Sequence, residues 1–105
     1  MRKVTEQTVA AFFGGRDRKV GNTQVLTDEQ TAGMYLHGNL IALRETDTGR
    51  MKVRMAGWGT PTTRERLNGI ADWLGVEGFH QKNWTQYHGD VPVSDTEWVT
   101  LREGY

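Results

Sequence analysis

The stretch that decides the fold lies at residues 57–68 and reads Gly-Trp-Gly-Thr-Pro-Thr-Thr-Arg-Glu-Arg-Leu-Asn. It follows a run of period-two alternation and precedes a run of helical periodicity, so it predicts a corner between a strand and a helix. Thr60 as N-cap would place Pro61 at the first helical position, where proline is favoured. Thr62 as N-cap would instead place Glu65 three residues on and complete a capping box. Both placements start a helix within this stretch.

The residues after the corner carry the pattern of an amphipathic helix. Leu67, Ile70, Ala71 and Leu74 occupy positions i, i+3, i+4 and i+7, which puts them on one helix face. Gly75 is a typical stop signal. The pattern therefore predicts a helix that packs this face against a sheet.

The residues before the corner predict an antiparallel hairpin. Apolar residues alternate with Lys52 and Arg54 over residues 51–58, which is typical of a strand with one face in solvent. A polar turn separates this strand from residues 34–44. The two segments are expected to pair with each other.

Residues 34–44 are apolar on both faces and predict a central strand covered on both sides. Gly38 and Asn39 interrupt its alternation, and a β-bulge would explain the break. His37 precedes this break and is expected to be a structural residue of the strand.

The N-terminal part predicts one helix and one strand. Residues 5–13 form the helix, with Thr5 as N-cap and the two phenylalanines in the core. Residues 20–26 form the strand, in which Gly21 and Asn22 make either a bulge or an early turn.

The C-terminal part predicts a further strand around residues 83–88. Residues 98–101 favour a short strand over one helical turn because of their β-branched side chains. Trp73 and Trp98 are expected to fill the core. The predicted order is α-β-β-β-α-β, with residues 1–105 as a single domain. The fold class is α+β: an antiparallel sheet of three to five strands and two helices in a two-layer sandwich.

Composition limits the classes of function. Thirteen basic and thirteen acidic residues give a formal net charge of zero, which is unusual for a dedicated nucleic-acid binder. The absence of cysteine excludes disulfides and thiolate zinc sites. No apolar run approaches the roughly 20 residues that span a bilayer, and the first residues lack the apolar core of a signal peptide. We therefore expect a cytoplasmic protein without membrane contact.

No motif specific for catalysis or metal binding occurs. The three histidines lack the spacings of metal-binding helices, and Ser94, the sole serine, does not lie in a Gly-x-Ser-x-Gly motif. No phosphate-binding Gly-x4-Gly-Lys pattern is present. The sequence thus predicts no catalytic residue, no metal and no cofactor, and it favours a protein that is not an enzyme.

A polar site is a weaker candidate. His37-Gly38-Asn39 and His88-Gly89-Asp90 share one pattern, although two tripeptides are too short to indicate a duplication. The candidate polar residues are His37, Asn39, His88 and Asp90.

The corner itself is the best candidate for binding. Free amides and the dipole at a helix start favour an anion or phosphate, and hydroxyls and cations surround this helix start. The candidate binding residues are Lys52, Arg54, Trp58, Thr60, Thr62, Thr63, Arg64 and Arg66. Trp58, Trp84 and Tyr87 could supply stacking surfaces for bases. In the alternative interpretation, the threonines only cap the helix and the arginines are solvated.

Three segments resemble a family of small, mostly uncharacterised proteins of tailed bacteriophages. They are Gly-Asn-Thr at residues 21–23, Met-Tyr-Leu-His-Gly-Asn-Leu-Ile-Ala at residues 34–42, and the corner at residues 57–68. The resemblance covers roughly residues 20–90 of the chain. It implies the cytoplasm of an infected bacterium as the setting and gives no residue a role.

These observations lead to two functional hypotheses. The first is a non-enzymatic binding protein that acts on a host protein or complex. The second is a nucleic-acid-binding protein that uses a local basic and aromatic patch. The sequence leaves the oligomeric state open.

Overall fold

The computed structural model describes residues 2–105. Within these residues the chain forms two helices and nine strands. In chain order they are α1 (Lys3–Gly14), β1 (Arg18–Val20), β2 (Thr23–Thr27), β3 (Thr31–Leu36), β4 (Asn39–Glu45), β5 (Met51–Val53), α2 (Pro61–Leu74), β6 (Phe79–Lys82), β7 (Thr85–His88), β8 (Val91–Val93) and β9 (Val99–Arg102). The fold is α+β, as the sequence predicts. Neither described helix is both long and apolar enough to cross a membrane.

The strands form two sheets, which corrects the expected single sheet of three to five strands. A six-stranded main sheet has the order β1-β2-β3-β4-β5-β9, and a three-stranded second sheet has the order β6-β7-β8. All neighbouring strands are antiparallel. The predicted strand around residues 83–88 and the C-terminal strand are both confirmed. The sequence pattern did not predict the short strands β6 and β8 on either side of β7.

The prediction of one central strand at residues 34–44 is wrong. This segment is a hairpin, in which β3 and β4 are joined by His37 and Gly38 at φ angles of 50° and 81°. Two residues at positive φ make the type I′ turn, whose twist matches that of a hairpin. The expected bulge is therefore a turn, and the register shift lies between Met34 and Tyr35 instead.

The predicted pairing on the other side of β4 is confirmed, because β4 and β5 are antiparallel. The predicted strand at residues 51–58 is too long, since β5 ends at Val53. Ala56 and Gly57 follow with φ angles of 56° and 83°, which turn the chain away from the sheet. Gly21 and Asn22 form a turn between β1 and β2, one of the two alternatives predicted there.

Of the two predicted caps for α2, the first is confirmed. The Thr60 hydroxyl accepts a hydrogen bond from the Thr63 amide at 3.2 Å, and Pro61 opens the helix. The Thr62 capping box is wrong, because the carboxylate of Glu65 points away to two arginines. A single cap defines the corner.

The start of α1 also differs from the prediction. The helix begins at Lys3, so Thr5 lies inside it, and its buried hydroxyl donates to Glu65 of α2 rather than capping. At the other end, Gly15 adopts the left-handed conformation expected after a helix. Arg44 of β4 donates to the carbonyl oxygen of Phe12 at 2.8 Å and ties this end to the main sheet.

The core lies between the two helices and one face of the main sheet. Its fully buried side chains include Val9, Phe12, Val25, Met34, Met51, Val53, Leu67 and Ile70. The predicted apolar face of α2 is thus confirmed. Trp73 is not in this core: it is 58 % exposed and stacks on Phe13 at 5.0 Å between ring centroids.

Candidate functional site

A cavity of about 520 Å³ opens where the β3–β4 turn meets the start of α2. We call it the corner groove. Its lining residues are Leu36, His37, Asn39, Ile41, Met55, Trp58, Thr60, Thr62 and Thr63. The groove therefore brings four of the predicted corner residues together with two of the predicted polar residues.

The local turns shape this groove. The tight β3–β4 turn places its polar residues at one side of the opening. On the other side, the amide of Gly57 donates to the carbonyl oxygen of Asp95 at 2.7 Å. The amide of Trp58 donates to the carbonyl oxygen of Met55 at 2.9 Å. These bonds fix the backbone on both sides of the Trp58 side chain, which is 58 % exposed. The indole forms one wall of the groove.

The corner groove combines an apolar floor with polar groups around it. Leu36, Ile41 and Met55 are buried side chains that supply an apolar floor. Hydroxyl, amide and imidazole groups surround this floor, and His37 is the sole titratable side chain in the lining. A mostly apolar concave surface with a few polar groups is typical of a ligand or peptide site.

Arg66 does not lie at the surface, which corrects its expected place in a basic patch. Its side chain is buried, and its Nε donates to the Thr23 hydroxyl at 2.9 Å. Its Nη1 donates to the Thr5 hydroxyl and to Glu65 Oε1, both at 2.8 Å. Burial lowers the pKa of Arg66, and the charge of Glu65 opposes this shift. Arg66 thus joins α1, α2 and β2.

Arg64 holds the second sheet against the corner. Its Nη1 donates to the carbonyl oxygen of Gly59 at 2.8 Å, to Gln81 Oε1 at 3.0 Å and to Gln86 Oε1 at 3.1 Å. Gln86 also donates to the same carbonyl oxygen at 3.2 Å. The side chain is only partly buried, so Arg64 combines a structural role with access to solvent.

Lys52 and Arg54 lie away from the corner groove. Both side chains contact the indole of Trp98, with the Lys52 Nζ 4.6 Å and the Arg54 Cζ 4.4 Å from the ring centroid. The four predicted cations therefore occupy three different places and do not form one patch. Trp98 is half-buried beside them rather than in the core.

The predicted polar residues fall into two separate groups. His37 and Asn39 line the corner groove, whereas His88 stacks on Phe79 at 4.6 Å between ring centroids. Asp90 lines a second cavity of about 430 Å³ between the end of α2 and the second sheet. Across residues 2–105, no three histidine, aspartate or glutamate side chains gather closely enough for a metal ion.

Trp84 is the most exposed large hydrophobic side chain among the described residues, at 92 %. It lies at the tip of the β6–β7 hairpin, two residues from Gln86, which contacts the corner. Asn83 and Trp84 have φ angles of 51° and 69°. A glycine normally takes the second position of such a turn, and a bulky residue there is strained.

We expect Trp84→Gly to stabilise the protein by about 1 kcal/mol, because it removes the left-handed strain of a residue with a Cβ. The melting temperature should rise by roughly 4–8 °C for a domain of this size. Trp84→Ala is the control, since it removes the indole but keeps the strain. Thermal unfolding of the three proteins measures the effect, and a glycine variant that melts below the alanine variant would contradict the explanation.

The comparisons with known proteins place the chain among phage proteins. Residues 1–104 match the family model described as Kyanoviridae Gp96 protein, a family of cyanophage proteins. No curated protein and no solved structure gives a significant match.

Proposed function

Because the chain belongs to the Kyanoviridae Gp96 protein family, we propose that it is a non-enzymatic binding protein that acts on a host protein in the cytoplasm of the infected bacterium. The observation that carries this proposal is the corner groove, with the Trp58 indole open to solvent beside an apolar floor. The groove would receive an apolar side chain or a short extended segment of the partner.

The residue types around the groove support a protein partner. Tryptophan, tyrosine and arginine dominate the binding energy of protein interfaces, and they act in pockets from which water is excluded. Trp58 is followed directly by Gly59, whose carbonyl oxygen binds Arg64. Trp84 lies at the tip of the hairpin that packs on this same junction. Trp58 thus borders the corner itself, and Trp84 lies on the hairpin that Arg64 holds against this corner.

Nucleic-acid binding at the corner has less support. It requires cations that converge on the phosphate backbone, but Arg66 is buried and Lys52 and Arg54 lie beside Trp98. Arg64 alone remains at the corner, and it already binds three acceptors. The basic patch expected from the sequence does not form there.

Site-specific cross-linking tests the proposal. The chain has no cysteine, so Thr62→Cys creates one attachment point for a photoreactive group inside the groove. Glu6→Cys places the same group on the exposed side of α1 as the control. In lysate of infected host cells, we expect the Thr62 probe to capture a protein that the Glu6 probe does not capture.

Competition establishes that the capture depends on the groove. Excess unlabelled wild-type protein should suppress it, and excess Trp58→Ala protein should not. Equal capture by both probes, or suppression by both competitors, would contradict the proposed function.

A further inference from the structure

The face of the main sheet that lies opposite the helices is open to solvent. Thr23, Val25, Met34 and Ala42 point towards the helices and are buried. Side chains alternate between the two faces of a strand, so their neighbours in β2, β3 and β4 point the other way. Apart from Gly33 and Ile41, which are buried, these neighbours are half-buried or exposed, so most of this face is not covered by another described element of the chain.

Strand register arranges this open face in two rows. In the first row, Lys19 pairs with Gln24, Gln24 with Tyr35, and Tyr35 with Leu40. Arg54 extends this row, because its Nε donates to the carbonyl oxygen of Leu40 at 2.9 Å. The row thus has a cation at each end and an aromatic ring in the middle.

The second row runs beside the first. Leu26 pairs with Gly33, Gly33 with Leu43, and Leu43 with Lys52. Gly33 leaves room for its neighbours, since a Cβ there would lie 3.2 Å from Tyr35 Cε1. The Tyr35 ring therefore covers the glycine and lies low across the sheet.

The two rows end at a cationic aromatic cluster. Lys52 from one row and Arg54 from the other both contact Trp98, as described above. The rows carry three cations, including Lys19, and no carboxylate. Glu45, two residues beyond Leu43, accepts a hydrogen bond from Thr48 at the strand end. The first row therefore has a cation at each end, the second has one at the Trp98 end, and both are apolar in the centre. The carboxylates of Asp17 and Glu45 lie beyond the rows, where they accept hydrogen bonds from Thr27 and Thr48.

We propose that this open face binds single-stranded nucleic acid. The three cations would contact phosphates, and Tyr35 and the leucines would contact the flat apolar faces of bases. A duplex hides those base faces in its stack, so it could use only the cations. A second copy of the chain would bring like charges together, which opposes self-association through this face. This site is separate from the corner groove and goes beyond the function proposed above.

Fluorescence anisotropy with a labelled oligothymidylate, and with an oligouridylate of equal length, tests the proposal. We expect binding at low salt with a dissociation constant of about 10 µM or below, in the range of non-specific binding. For three phosphate contacts, the slope of log K against log salt should be about −2, since single strands give roughly −0.7 for each contact. The same sequence as a duplex should bind about tenfold more weakly, because it offers no base faces for stacking.

Variants assign the binding to the open face. Lys52→Ala with Arg54→Ala should weaken binding about tenfold and reduce the salt slope to about −0.7, the value for one remaining contact. Lys3→Ala with Arg16→Ala is the matched control, because it removes the same charge from exposed residues elsewhere and should leave the slope near −2. Tyr35→Leu keeps an apolar cover over Gly33 and all charges, and should weaken binding about tenfold through the lost stacking alone.

Three outcomes would overturn the proposal. The first is no anisotropy change at low salt, and the second is equal affinity for the duplex and the single strand. The third is that polyglutamate displaces the labelled oligonucleotide as well as unlabelled oligonucleotide does, which would indicate an acidic protein segment as the occupant. Circular dichroism of each variant confirms that it is folded. Trp58→Ala should bind the oligonucleotide like the wild type, so the result is independent of the corner groove.

Discussion

Arg66→Ala is expected to lower the free energy of unfolding by about 3 kcal/mol or more, because it removes a buried guanidinium that donates to two buried threonine hydroxyls and to the partly exposed carboxylate of Glu65. Each hydrogen bond to a charged group contributes roughly 1.5–3 kcal/mol. The Thr5 and Thr23 hydroxyls would lose this charged donor but keep the hydrogen bonds that they donate themselves. The melting temperature should fall by roughly 12 °C or more for a domain of this size. Urea denaturation measures the change.

Arg64→Ala is the matched control for this prediction. It removes the same side chain two positions earlier in α2, from a partly exposed site. We expect a loss of about 1 kcal/mol, near the usual contribution of a hydrogen-bonded group. Arg66→Lys keeps the charge but cannot reproduce the planar fork of donors, so its stability should lie between those of the wild type and Arg66→Ala. Equal losses for Arg64→Ala and Arg66→Ala would show that burial of Arg66 is not what stabilises this junction.

Trp58→Ala is expected to weaken the complex with the protein captured at the corner groove by about 2 kcal/mol, or roughly thirtyfold in Kd. The indole forms a wall of the groove, and its removal would expose the apolar floor to water. Because the side chain is 58 % exposed in the free protein, the substitution should change stability little. Isothermal titration calorimetry with the purified partner measures the affinity.

Trp73→Ala provides an unusually close comparison. Its side chain is also 58 % exposed, but it stacks on Phe13, away from the groove lining. Its removal should leave the affinity unchanged. If both substitutions weaken the complex equally, the partner does not recognise the groove specifically.

Local patterns in the sequence predict the corner well, because the cap, the proline and the apolar helix face all act over short distances. The burial of Arg66 could not be predicted in this way. Its partners Thr5 and Thr23 lie 61 and 43 positions away in the chain, and Arg64 has the same local surroundings. Only the packing of α1 on α2 distinguishes the two arginines.

The β3–β4 hairpin was missed for a different reason. A two-residue turn reverses the chain, so the residues that face the core change at the turn. Because residues 34–44 are apolar on both faces, the alternation does not show which residues face the core on either side of the turn. The break in the alternation at Gly38 and Asn39 is therefore as compatible with a bulge in one strand as with a turn between two strands. This turn also places His37 and Asn39 in the corner groove, so two of the nine lining residues depend on a turn that the sequence pattern did not predict.

The path of the chain after α2 also matters for how such a protein can diverge. Residues between α2 and β9 leave the main sheet, form the second sheet, and return when β9 pairs with β5. Within residues 2–105, no strand of the main sheet pairs with a strand of the second sheet. The exposed Trp84 lies at the tip of the β6–β7 hairpin of the second sheet. Exposed hairpin tips tolerate insertion and substitution. Insertions and substitutions at this tip should therefore leave the pairing of the main sheet and its core unchanged.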